Sequence, residues 1–116
     1  MPADTDALPL FKGTLDLLIL KTLSWGTMHG FAIASWLEAR SGGELGIDDS
    51  ALYQALHRME ERGLIEADWG VTEKSRRARY YKMTAPGRAH LRAETAKWLR
   101  YSQTVTGILT VATRSA

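Results

Sequence analysis

The stretch that most constrains this 116-residue chain runs from Asp48 to Thr84. Asp48-Asp49-Ser50 can accept orphan backbone N–H donors, and its negative charge suits the positive end of a helix. Behind it Leu52, Leu56 and Met59 fall at i, i+4 and i+7, one narrow buried stripe, and Gly63 offers the left-handed residue that ends a helix. Two alternating segments follow at once. Leu64 to Val71 places Ile65, Ala67 and Trp69 on one face. Arg79 to Thr84 places Tyr81 and Met83 on one face and Tyr80 and Lys82 on the other, with Arg79 able to pair with Asp68 or Glu66. Between them, Thr72-Glu73-Lys74-Ser75-Arg76-Arg77 is polar and basic and reads as a hairpin tip.

Upstream, Leu15, Leu18, Ile19 and Leu23 recur at helical spacing from Gly13 to Leu23, with Leu17 and Leu20 widening the stripe. A second helix is expected from about His29 to Arg40, with Phe31, Ile33, Trp36 and Leu37 as apolar contacts, broken by Ser41-Gly42-Gly43. Glu44 to Ile47 reads as a short extended connection. Downstream, Thr84 caps a long last helix whose first turn tolerates Pro86. Three helices, a basic hairpin and a final helix make a mainly α fold with a small β hairpin: a winged helix-turn-helix carrying a C-terminal helix. The expected divisions are a flexible tail over 1–9, a DNA-binding domain over 10–84 and a dimerisation helix over 85–116.

Composition narrows the function. The chain contains no cysteine, which excludes disulfides, thiolate metal sites and cysteine catalysis and fits a reducing cytoplasm. Its acidic, polar first residues are unlike a signal peptide, and the apolar run from Leu15 to Leu20 is too short to span a bilayer. Nine bases against two acids leave residues 71–100 at +7, so the rest of the chain, within a whole of +2, stands at −5. A basic segment on an acidic body points to a localised polyanion-binding surface.

At about 100° per residue, Ser50, Gln54, His57 and Arg58 share one sector of the third helix away from its core stripe, with Tyr53 on the border. Gln can pair with adenine and Arg with guanine in a major groove. The same four residues also fit an ordinary solvated helix face. Lys74, Arg76 and Arg77 crowd the hairpin tip with one acid for company, as a wing reaching the DNA backbone or minor groove requires.

Several motifs in order resemble the PadR family of transcriptional regulators. They are Gly13-Thr14-Leu15-Asp16-Leu17-Leu18-Ile19-Leu20, Met28-His29-Gly30-Phe31, Leu52-Tyr53-Gln54-Ala55-Leu56-His57-Arg58-Met59-Glu60, Gly63-Leu64-Ile65 and Arg77-Ala78-Arg79-Tyr80-Tyr81-Lys82-Met83-Thr84. The resemblance covers roughly residues 8–100. It implies a bacterial winged-helix homodimer of the compact subclass that represses transcription from a pseudo-palindromic operator, sometimes released by a small molecule. It also implies a phosphate contact for Tyr53. Gln54 departs from the proline often found at that position, which leaves the operator sequence open.

Leu91, Trp98, Val105 and Ala112 recur every seven residues, with Tyr101 and Ile108 three residues after Trp98 and Val105. This is a short packing seam, for which Leu15 and Leu18 of a partner's first helix are the natural counterpart. Packing within one chain is the alternative. The resemblance further implies that Trp98, near a dimer axis, could sandwich a flat apolar or phenolic effector. Trp25, Trp36 and Trp69 read as core or seam fillers. His29, His57 and His90 show no catalytic spacing, so no enzyme activity and no cofactor are expected. His90 with Glu94 is the one pair open to a metal-sensing reading, and a protein-binding winged helix is a further rival.

Overall fold

The computed structural model describes Leu8, Leu10, Phe11 and residues 13–114. The helices are α1 (Thr14–Leu23), α2 (Gly30–Ser41), α3 (Asp49–Glu61) and α4 (Ala85–Leu109), and the strands are β1 (Met28–His29), β2 (Ile65–Val71) and β3 (Arg77–Met83). The strands form one antiparallel sheet in the order β1-β3-β2.

The core is made where α1, α2 and α3 meet the sheet. Ile19, Leu20, Ile33, Leu52, Ala55, Leu56, Met59 and Ile65 are essentially inaccessible. Ala55 joins the expected stripe of α3 in the core. At the start of α3 the Asp48 carboxylate accepts the Ala51 N–H at 3.1 Å, a contact worth about 1 kcal/mol. After α3, Gly63 takes a φ of 75°, where a side chain is costly.

Strand β1 was not expected. Met28 and His29 pair with Tyr81 and Tyr80, and His29 Nδ1 accepts the Ala32 N–H at 3.1 Å. The same residue therefore closes a strand and caps the helix after it. β3 begins at Arg77 rather than Arg79, with Arg77 opposite Val71. The connection from Glu44 to Ile47 makes one isolated bridge, between Leu45 and Leu8. The remainder of the expected tail, residues 1–7 and Pro9, lies outside the described residues.

Thr84 joins the hairpin to α4. Its hydroxyl donates to the Gly63 carbonyl at 2.7 Å and accepts the Gly87 N–H at 3.0 Å. Gly87 is buried, and a Cβ there would collide with the Leu64 carbonyl oxygen. α4 continues through Gly107 and ends at Leu109, so Ala112, the last expected heptad position, lies beyond the helix. At about 1.5 Å per residue α4 is about 37 Å long and accounts for much of the 64 Å long axis.

Three aromatic expectations are corrected. Trp25, Phe31 and Trp69 are 66%, 74% and 58% exposed, so none is a core filler. Trp36 is half-buried against the core. Residue type offered the two tryptophans to the core or to a seam, and the core ends before it reaches them.

Candidate nucleic-acid interface

α3 presents Ser50, Tyr53, Gln54 and His57 along one exposed face, opposite its buried stripe. His57 Nε2 lies 3.4 Å from Glu61 Oε2, with both side chains exposed, a pairing of little consequence. Arg58 departs from the group. Its guanidinium sits 2.7 Å from Asp16 Oδ1 of α1, and Asp16 is only 14% exposed. The arginine assigned to the reading face is thus drawn toward α1 in this structure.

Tyr53 stands at the edge of the face, with its ring against Gly30 at the start of α2. A Cβ on Gly30 would lie 2.5 Å from the Tyr53 hydroxyl oxygen and 2.7 Å from its ring. Gly30 therefore permits the close approach that sets the hydroxyl beside the N-terminus of α2. A helix start carries partial positive charge and free N–H groups, the surroundings that favour an anion.

The wing tip is shaped by Thr72. Its backbone N–H donates to the Arg76 carbonyl at 2.8 Å and its carbonyl accepts the Ser75 N–H at 2.8 Å. Its hydroxyl oxygen accepts the Arg76 N–H at 3.1 Å, and Ser75 turns the chain with a φ of 60°. Lys74 and Arg76 are exposed on this turn and have no ion-pair partner among the described residues. Arg77 lies lower, with its guanidinium carbon 4.3 Å from the centroid of Trp69.

Below the tip the wing is fastened to α3. Arg79 pairs with Glu60 at 2.8 Å, not with Asp68 or Glu66, and its guanidinium lies 5.9 Å from the centroids of both Trp69 and Tyr81. Glu66 pairs instead with Lys82 at 3.3 Å. Burial pushes the Tyr81 phenol above its ordinary value while Arg79 pulls it the other way, so this ring stays neutral at physiological pH. The Glu60–Arg79 link holds the wing beside the reading helix, and sequence reasoning missed it because the pair is separated by 19 positions.

The expected seam residues divide. Leu15, Leu18 and Leu91 are half-buried and pack against the core of their own chain. Trp98, Tyr101 and Ile108 are exposed, and Val105 is half-buried. Trp98, Tyr101 and Val105 line a groove of about 880 Å3 between α4 and α1, together with Phe11 and Leu17. The last two were not singled out as site residues in the sequence. His90 and Glu94 also line it, yet no group of three or more metal-ligating side chains is gathered among the described residues.

Three core helices, a three-stranded wing and an exposed polar face on the third helix define a winged helix-turn-helix DNA-binding regulator. Residues 19–93 match the model of the transcriptional regulator PadR-like family, and the chain belongs to that family. A curated but uncharacterised protein of Lysinibacillus sphaericus is 25% identical over 96 residues, 83% of this chain and 88% of that protein. Among solved structures, a Streptococcus mutans protein is 27% identical with a TM-score of 0.79, covering 94% of this chain and 98% of that one. A PadR family transcription regulator from Clostridium difficile is 26% identical with a TM-score of 0.72, covering 84% and 99%. A transcriptional regulator from Clostridium thermocellum is 25% identical with a TM-score of 0.75, covering 83% and 90%. The protein is a DNA-binding transcriptional regulator and not an enzyme. Among the described residues, no helix is long and apolar enough to cross a membrane.

Proposed function

We propose that this regulator is a homodimeric repressor of the bacterial cytoplasm that reads a pseudo-palindromic operator. The observation that carries the reading is the juxtaposition of an exposed polar face on α3 with a basic wing tip, unpaired among the described residues, fastened beside it through Glu60 and Arg79. Ser50, Gln54 and His57 face the bases of the major groove, while Tyr53, Lys74 and Arg76 hold phosphates. Arg77 reaches the backbone from its stack on Trp69. Arg58 reads a base only by giving up Asp16, so its share in recognition is smaller than that of Gln54.

The exposed apolar residues of α4 and the groove beside α1 support dimerisation through Trp98, Tyr101, Val105 and Ile108, with Leu15, Leu18 and Leu91 bracing the two helices from behind. A two-fold pair sets two reading helices on half-sites about 34 Å apart. The same groove, with Trp98 in its wall, is the place for a small aromatic or apolar effector that releases the operator.

The test is salt dependence. Each phosphate contact contributes about 0.9 to the slope of log affinity against log salt. Replacing Lys74 and Arg76 with alanine is expected to flatten that slope by about one to two units per protomer on every duplex alike. An unchanged slope removes the wing from the backbone. Gln54→Ala is expected to relax preference at one base pair by about 1 to 3 kcal/mol, and retained preference would move readout to another residue or to DNA shape.

A further inference from the structure

Two arginines of the reading unit are paired with carboxylates, and they are held very differently. Arg79 is bound by Glu60 and lies near the rings of both Trp69 and Tyr81. Arg58 is held at one point. Its Nη2 donates to Asp16 Oδ1 at 2.7 Å, and no aromatic ring supports it among the described residues. Its side chain stays 53% exposed. A guanidinium carries five N–H donors, so one bond to one oxygen leaves most of them open.

Position gives the open donors a destination. Ser50, Gln54 and Arg58 stand four residues apart on α3, on successive turns of one face. Asp16 lies elsewhere. It belongs to the first turn of α1, where the positive end of the helix favours its charge. It is mostly buried and lines the groove between α1 and α4. A residue of the groove therefore holds a residue of the reading helix.

We infer that Asp16 is a specificity-determining residue that acts without touching DNA: it withholds Arg58 from the operator and so sets how strongly one base pair is read. The inference rests on the reading of α3 as the helix that contacts the operator. Guanine accepts two hydrogen bonds from an arginine, at O6 and N7, against the one that Arg58 gives up at Asp16. Each encounter with guanine is thus weakened by the strength of the ion pair. At any other base Arg58 stays on Asp16 and contributes nothing. Weakening the pair strengthens the guanine contact alone, so it raises preference as well as affinity.

The restraint is read first without DNA. In the nitrogen-15-labelled full chain the heteronuclear NOE of Arg58 Nε–H is expected to report an ordered side chain. It is expected to fall in Asp16→Asn, which keeps the shape of Asp16 and removes its charge. An Arg58 already mobile in the unchanged chain overturns the inference. The second readout uses duplexes selected from a random pool by the unchanged chain, with each base pair then varied in turn. Asp16→Asn is expected to bind duplexes carrying guanine at one half-site position about two- to fivefold more tightly, the range of a half-exposed ion pair. Losing a negative charge can raise binding to every duplex alike, and the same substitution in an Arg58→Ala chain measures that part. There the guanine-dependent gain is expected to vanish. The inference fails if the gain is uniform across duplexes, which would place Arg58 on phosphate, or if it persists without Arg58. Should it fail while Gln54→Ala still relaxes preference, the operator reading stands; loss of both removes the reading and the inference together.

Discussion

α3 and α4 both carry apolar residues at helical spacing, and they dispose of them in opposite ways. α3 buries Leu52, Ala55, Leu56 and Met59 against its own chain. α4 has 25 residues to the 13 of α3, yet Gly87 is its buried residue, while Leu99, Tyr101, Ile108 and Leu109 are 48%, 70%, 68% and 77% exposed. Capping does not separate them, since Asp48 and Thr84 serve both starts. What differs is the partner. α3 is hemmed in by α1, α2 and the sheet, whereas α4 leaves the core after its first turns and carries its apolar residues beyond it. Large apolar side chains exposed in number along one helix mark a place for association.

The sharpest way to break this contrast is to truncate matched residues. Leu56→Ala removes a side chain with no exposure and is expected to cost about 2 to 5 kcal/mol in urea unfolding. A loss below about 1 kcal/mol would mean that α3 is not seated as described. Gly87→Ala drives a methyl group onto the Leu64 carbonyl, and a backbone atom yields little, so a loss of about 1 to 3 kcal/mol is expected in thermal unfolding. Neutral behaviour there would undo the anchoring of α4. Ile108→Ala should change unfolding by no more than about 0.5 kcal/mol at concentrations too low for association. Its effect belongs in sedimentation equilibrium, as a weaker dimer, and a destabilised lone chain would show that Ile108 packs within its own protomer.

The winged unit was readable in the sequence where a period had room to repeat between firm ends. α3 had a capping aspartate, a stripe over two turns and a terminal glycine, and its bounds follow from them. β1 had no such room. Two residues carry no period, and Met28-His29 becomes a strand only because β3 offers its free edge. Alternation placed Ile65, Ala67 and Trp69 on one face correctly. It could not tell how far the core extends, and burial falls along that face until Trp69 is exposed. Side-chain reach was equally hidden. A helical wheel gives the direction in which Arg58 leaves α3, not the turn of its long side chain toward Asp16, 42 positions earlier. The proposed phosphate-binding and base-reading roles rest on the exposed face and the wing, both of which the residue types announced.

The seat of Gly87 on the Leu64 carbonyl makes the first turn of α4 a fulcrum. With an arm of about 33 Å beyond it, a tilt of only about 5° at that point carries the far end of the helix through about 3 Å. Two such arms joined at their far portions would convert a small adjustment at the base of each wing into a change of pitch and span between the two reading helices. Register on DNA is measured in steps of about 3.4 Å, so a hinge no larger than one glycine is enough to move a half-site out of reach.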